Sequence, residues 1–140
     1  MNHLKLILFS LFLCVSILPM KAQLGYTQYL KKDNVVFSYK WGTTTDKKER
    51  TKQPALLMMV KNENDFDVDF SYSLDFYYEG ILRESSDSAQ YCIRANKMRV
   101  GKINGIIYPI NKFTQEQIEN KDFNFEINDV VVDKSSGCVD

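Results

Sequence analysis

From Asp65 to Glu79 the chain alternates with a strict period of two. Phe66, Val68, Phe70, Tyr72, Leu74, Phe76 and Tyr78 are apolar or aromatic, while Asp65, Asp67, Asp69, Ser71, Ser73, Asp75 and Glu79 are polar. Only Tyr77 breaks the polar set. A helix turns about 100° per residue and would scatter the apolar positions around its axis, whereas a strand places them all on one face. This segment must therefore be a strand with one buried side. Its length exceeds that of an ordinary strand, so it is expected to bend, or to pair with different partners at its two ends.

Other segments repeat the signal more briefly. Val35, Phe37, Tyr39 and Trp41 alternate with Ser38 and Lys40 until Gly42, the pattern of a half-buried strand. Thr43 to Gln53 has no large apolar side chain and reads as a solvated loop. Ala55 to Val60 is apolar on both faces, as expected of a central strand covered on both sides. Asn62 to Asp65 supplies turn residues, and Glu79-Gly80 a tight hairpin turn into a short strand at Ile81 to Arg83. Gln90 to Arg94 reads as a strand. Met98 to Val100 and Ile103 to Tyr108 read as one interrupted strand or two, punctuated by Gly101 and Gly105. Thr114-Gln115-Glu116-Gln117 is a capping box that should open a helical turn or two. Phe123, Phe125 and Ile127 alternate again, and Val130 to Val132 continue after a slip at Asn128-Asp129. The expected fold is mostly β: a single antiparallel sandwich of immunoglobulin-like or fibronectin-like type with one short helix. Its predicted core comprises Trp41, Leu57, Met59, Phe66, Val68, Phe70, Leu74, Phe76, Ile93, Ile106 and Phe125.

The first 22 residues carry a different pattern. Met1 to Ala22 has a polar start with Lys5, an apolar run from Leu6 to Leu18, and Pro19-Met20-Lys21-Ala22. The run is shorter than a membrane-spanning helix requires and reads as a cleaved secretory signal, with cleavage expected at Ala22-Gln23. Cys14 lies inside the run after Leu13, not at a lipobox, and is expected to leave with the signal. The predicted organisation is a signal peptide over 1–22, a lead-in over 23–33, a sandwich domain over 34–133 and a flexible tail over 134–140. The protein is expected to be exported, to the periplasm, the outer surface or the medium.

Loss of the signal removes Lys5, Lys21 and His3, leaving sixteen bases against eighteen acids and no histidine. This gives no electrostatic case for nucleic acid or an anionic membrane, and membrane contact is expected only through the signal itself. A chain without histidine builds neither a Ser-His-Asp nor a Cys-His catalytic unit, and no histidine-ligated metal site. No Gly-rich phosphate loop, GxSxG elbow or CxxC pair is present. Paired carboxylates for glycoside hydrolysis survive this filter, but nothing nominates a pair. No enzyme activity and no cofactor are expected.

Leu57-Met58-Met59-Val60-Lys61-Asn62-Glu63-Asn64, followed by the alternating strand that closes in Phe76-Tyr77-Tyr78-Glu79-Gly80, resembles secreted bacterial immunoglobulin-like modules, including the FxLYD type. Cys92-Ile93-Arg94 and Gly101-Lys102-Ile103-Asn104-Gly105 likewise resemble small immunoglobulin-like proteins secreted by Bacteroidetes. The likeness spans Tyr39 to Tyr108 and rests on turn and strand residues. It implies an envelope or extracellular binding and scaffolding role, with no shared catalytic residues to carry over.

Four constellations can be weighed. Asp65, Asp67 and Asp69 fall on one strand face with the spacing that opens a calcium loop, but Phe70 stands where that loop needs glycine and Phe76 where it needs a bidentate glutamate; the bland reading is a solvated sheet face. Tyr77 points to the polar side and would mark a binding patch if a second exposed aromatic stood beside it. Lys47, Lys48, Arg50 and Lys52, diluted by Asp46 and Glu49, could grip an anionic glycan or lipid phosphate, or form a solvated loop. Cys92 and Cys138 are the two cysteines left after signal removal, in an oxidising compartment. They could close a loop worth roughly 4 kcal/mol in the chain-entropy model, join another subunit, or remain free thiols. Two functions follow: a non-catalytic interaction or scaffold module contacting another envelope or secreted protein, or a ligand-binding module for sugar, peptide or calcium.

Overall fold

The alternating run forms an 11-residue strand, Val68–Tyr78, whose even residues from Val68 to Phe76 are buried and whose odd residues, with Tyr78, are half-buried. The computed structural model describes residues 25–104 and 106–139. The expected signal peptide, with Cys14 and the Ala22-Gln23 junction, lies outside the described residues. In chain order the elements are β1 (Thr27–Lys32), β2 (Val35–Thr45), β3 (Lys52–Asn62), β4 (Val68–Tyr78), β5 (Ile81–Ser85), β6 (Ala89–Ile93), β7 (Met98–Val100), α1 (Gly101–Asn104), β8 (Ile107–Pro109), α2 (Gln115–Ile118) and β9 (Phe123–Lys134).

Two antiparallel sheets result. One runs β1-β2-β3, with β7 and β8 sharing the far side of β3; in the other β4 lies between β9 and the pair β5 and β6. The long strand changes partners as its length requires. Val68 to Tyr72 pair with β6, Asp75 to Tyr78 with β5, and β9 follows the whole of the other side. The slip expected at Asn128-Asp129 is a bulge: the ladder shifts opposite Ser71 to Ser73, and Asp129 has a φ of 52°. The extra residue restores Val130 and Val132 to the core side, where both pack against it.

The core between the sheets is built from Val35, Phe37, Leu56, Met58 and Val60 on one side and Val68, Phe70, Tyr72, Leu74, Phe76, Phe125 and Ile127 on the other. Phe37 meets the rings of Phe70 and Tyr72 edge-on, both at 5.7 Å, a favoured aromatic geometry. Val68, Phe70, Leu74, Phe76, Ile93, Ile106 and Phe125 occupy the core as expected. Leu57 and Met59 are buried elsewhere. The β3 pleat sends them to the outer side of their sheet, where they pack with Tyr26, Val100 and Ile107, and this second small cluster is why β3 is apolar on both faces. Phe66 is half-buried in the turn before β4, with the Lys134 ammonium 4.9 Å above its ring. Trp41 is 36% exposed, because β2 has by then reached the margin of the packed interior, where the indole meets Phe123 and Phe125 on one side and solvent on the other.

Local chemistry explains the remaining departures. The expected loop Thr43 to Gln53 is mostly hairpin: Thr43, Thr44 and Thr45 pair with Pro54, Gln53 and Lys52, leaving only residues 46–51 as the turn. Three threonines suit a pleated ladder, and Gly42, far from ending the strand, makes room inside it. A Cβ there would lie 2.3 Å from Leu57 Cδ1. A strand, β1, occupies part of the segment expected as a lead-in. Gly101–Asn104 is helical rather than extended, so β7 and β8 are one edge strand interrupted by a turn of helix. The capping box is formed: Thr114 Oγ1 accepts from Gln117 N at 3.2 Å, and Thr114 N donates to Gln117 Oε1 at 2.9 Å.

Candidate functional site

The two ends of the sandwich differ in construction. At one end the turns are stitched together. Asn62, fully buried at the end of β3, donates through Nδ2 to the carbonyls of Phe66 at 2.8 Å, Ile93 at 3.3 Å and Arg94 at 3.2 Å. Its Oδ1 accepts from Asn64 N and Asn64 Nδ2 at 2.9 and 3.0 Å. One amide thus ties the β3–β4 turn to the strand end of the opposite sheet. Asp67 does the same for the C-terminal segment, one carboxylate oxygen accepting from Ala95 N at 2.9 Å and the other from Cys138 N at 3.1 Å. These bonds to Ala95 and Cys138 hold its pKa below the usual carboxylate range. Glu63 bridges Lys31 and Lys61, both at 2.9 Å, and hydrogen bonds to the two ammonium groups lower its pKa to about 2.

The cysteines belong to this stitched end. Cys92 and Cys138 form a disulfide with Cα atoms 5.5 Å apart. The tail returns beside β6 because Ser135 N donates to Asp67 O and Gly137 N to Ser135 Oγ. Of the open alternatives, the intramolecular staple is the one present.

The aspartates expected to share a face are not brought together as ligands. Asp65 sits in the turn before β4, Asp67 is engaged by two backbone N–H groups, and Asp69 lies in register between Cys92 and Asp133. Asp67 is therefore not the inert surface acid that the alternation alone suggests. Among the described residues no group of three or more His, Cys, Asp or Glu side chains stands close enough to hold a metal ion. Tyr77 does point outward from β4. Its cross-strand neighbours are Leu82 and Asn124, not a second aromatic, and its hydroxyl donates to Glu126 Oε2 at 3.3 Å. Desolvation, followed by the Glu126 and Asp75 charges, pushes its phenol pKa up. No aromatic platform forms there.

The other end is open. It gathers the β2–β3 hairpin tip, the β4–β5 turn at Glu79 and Gly80, and the segment between β8 and β9. The turn has φ of 52° and 73° at its two residues, the left-handed pair that lets two strands reverse tightly. It exposes Ile81 and Leu82, 53% and 49% accessible. The single turn of α2 sits across this end and divides two hollows. One, of about 230 Å³, is lined by Trp41, Gly42, Thr43, Pro54, Gln115 and Ile118. The other, of about 300 Å³, is lined by Tyr78, Glu79, Arg83, Lys112, Phe113 and Gln117. Trp41 is held from behind by Phe123 at 5.5 Å and Phe125 at 5.7 Å, so the exposed part of the indole has a fixed backing.

The hairpin tip is shaped by Asp46, whose Oδ1 accepts from Lys48 N at 2.7 Å and Glu49 N at 2.8 Å. With that carboxylate turned to the backbone, Lys47, Lys48, Arg50 and Lys52 have no ion-pair partner among the described residues. The cleft beside Trp41 was not legible in sequence. The one available signal, a tryptophan next to a glycine at the end of an alternating run, reads equally well as core.

Comparison of the chain with family models, with curated proteins and with solved structures returns no match.

Proposed function

We propose that this protein is an exported, non-catalytic interaction or scaffold module of immunoglobulin-like type, and that it engages an envelope or extracellular partner through the open end of its sandwich. The observation supporting this reading is the asymmetry of the two ends. One end fixes its turns with a buried asparagine, a doubly bonded aspartate and a disulfide. The other leaves Ile81, Leu82, Trp41 and an unpaired basic hairpin in solvent around two hollows. Rigid scaffolds present their contact groups on loops in this way; Met98 and Val139 are exposed near the stitched end as well, so what distinguishes the open end is apolar and basic groups together around hollows.

Site-specific photo-crosslinking in cells that export the protein tests the reading. A crosslinker at Leu82 or Lys48 should give high-mass adducts, and one at Lys97 or Ser136, on the stitched end, should not. Adducts from the stitched end alone, or from neither end, would overturn the assignment.

A further inference from the structure

We propose that the cleft beside Trp41, together with the basic hairpin tip that continues beyond it, binds the chain of an acidic polysaccharide. The inference rests on the open end being the contact surface and adds the chemistry of what is held there.

The register of the β2–β3 hairpin supplies the geometry. Trp41 pairs with Leu56, Thr43 with Pro54 and Thr45 with Lys52. Residues directly opposite in an antiparallel pair share a face, and so do residues two apart along a strand. All six therefore lie on one side of the hairpin. Leu56 packs in the core between the sheets, whereas Leu57 packs in the outer cluster, which identifies that side as the one turned toward the opposite sheet. Past Trp41 the opposite sheet ends, and α2 presents Gln115 and Ile118 across the gap. The inner face of the hairpin thus becomes the roof of the cleft, carrying an indole, a hydroxyl and a proline in order. Lys52 is the next position outward, about 6–7 Å beyond the Thr43–Pro54 pair by the rise of a strand. Lys47, Lys48 and Arg50 follow at the tip.

This sequence of groups suits a sugar chain bearing anions. A volume of about 230 Å³ falls below the roughly 300–1,000 Å³ of sites for drug-sized ligands and suits one ring of a longer chain. The partly exposed indole offers an apolar surface with little rotamer freedom to lose. The Thr43 hydroxyl and the free oxygen of the Gln115 amide, whose nitrogen donates to Glu119 at 2.7 Å, supply polar contacts at the walls. The bases then meet carboxylate or sulfate groups on the units that leave the cleft. An anionic lipid surface fits less well, because the tip from Asp46 to Thr51 contains no apolar side chain to insert. The outer face of the opposite sheet, with Asp69, Asp75, Glu126 and Asp133, would repel the same ligand, so binding is confined to the hairpin end.

Trp41 is the only tryptophan in the chain, so intrinsic fluorescence reports on the cleft directly. The exported form should be titrated with oligogalacturonate, a chondroitin sulfate hexasaccharide, maltohexaose and phosphatidylglycerol vesicles. The expected result is a change in Trp41 emission with an acidic saccharide and none with maltohexaose, weakened by added salt as screening requires. Each of Lys47, Lys48, Arg50 and Lys52 changed to Gln should weaken binding about twofold to fivefold, in line with exposed ion pairs, and all four together at least tenfold. Gln115→Phe, an exposed position on α2, should fill the cleft and abolish binding measured by calorimetry without unfolding the domain. An equal response to maltohexaose, a response to vesicles alone, or no response to either acidic saccharide would overturn the proposal. Loss of this response with Leu82 crosslinking retained overturns the saccharide but not the open end as contact surface; loss of both overturns the two together.

Discussion

Replacing Asn62 by Ala removes one side chain and releases two segments, the β3–β4 turn and the end of β6. In the native protein its amide nitrogen serves the carbonyls of Phe66, Ile93 and Arg94, and its oxygen receives two donors from Asn64. A typical intramolecular hydrogen bond contributes about 1 kcal/mol net, and a buried group left unpaired costs about 1–3 kcal/mol. The five contacts do not add. The bonds to Ile93 and Arg94 are long and share the donors with Phe66, and the Asn64 groups are half-exposed and can turn to water. The bond to Ile93 is the buried one, so its carbonyl carries the full desolvation cost. A loss of about 3 kcal/mol is expected, which in a domain of this size lowers Tm by roughly 10–15 °C. Urea unfolding followed by tyrosine and tryptophan fluorescence measures it. Asn62→Asp keeps the volume but turns an acceptor toward three carbonyls, and should cost at least as much at neutral pH. Burial disfavours its charged form, so its deficit relative to wild type should shrink as pH falls and the carboxyl regains a proton to donate. Asn124→Ala, on the exposed side of β9, should change stability by less than about 0.5 kcal/mol. A loss below about 1 kcal/mol for Asn62→Ala would refute the idea that this amide joins the two sheets.

Other substitutions test separate parts of the structure. Asp67 has its pKa depressed by the bonds from Ala95 and Cys138. It therefore contributes stability above the unfolded carboxylate range and loses it as pH falls through the lower folded value. Asp67→Asn should flatten the acid limb of a Tm-against-pH profile between about pH 5 and 2; an unchanged limb removes Asp67 from the acid response. Tyr72 is fully buried, its hydroxyl faces that of Tyr108 without a hydrogen bond of normal geometry, and burial drives its pKa far above the usual phenol value. Tyr72→Phe should be neutral or stabilising by up to about 1 kcal/mol; a loss above that shows the hydroxyl to be satisfied. Gly42→Ala places a methyl 2.3 Å from Leu57 Cδ1, while Gly101 holds Leu57 from the other side, and should cost about 1–3 kcal/mol. A double-mutant cycle with Leu57→Ala should recover part of that loss, and additive effects would locate the strain elsewhere. Cys138→Ser opens a closed loop of sequence separation 46 and should lower stability by about 4 kcal/mol; equal denaturation midpoints with and without reductant would contradict the staple.

The alternation settled the strand from Val68 to Tyr78, its buried face and its change of partners, because a period of two admits no other regular structure and a strand that long outruns one neighbour; Phe66 shares the pattern but lies in the turn before it. Ala55 to Val60 likewise required cover on both faces, and Thr114 to Gln117 required a helix start, since each is a matter of pleat geometry or of hydrogen bonds closed within four residues. Tertiary structure alone decided what depends on where the packed interior ends. Trp41 and Phe37 sit on one face of one strand with the same pattern around them, yet Phe37 lies between two sheets and Trp41 at the margin of the second, against Phe123 and Phe125. Asp67 and Asp69 are likewise equivalent in sequence, and only the return of the tail turned one of them into a clasp for Ala95 and Cys138. The pairing of the cysteines and the cleft under the hairpin have the same origin. Local pattern fixes which way a side chain faces, through backbone geometry that neighbouring residues share. What it faces is set by segments distant in sequence, whose placement follows from the free energy of the whole fold.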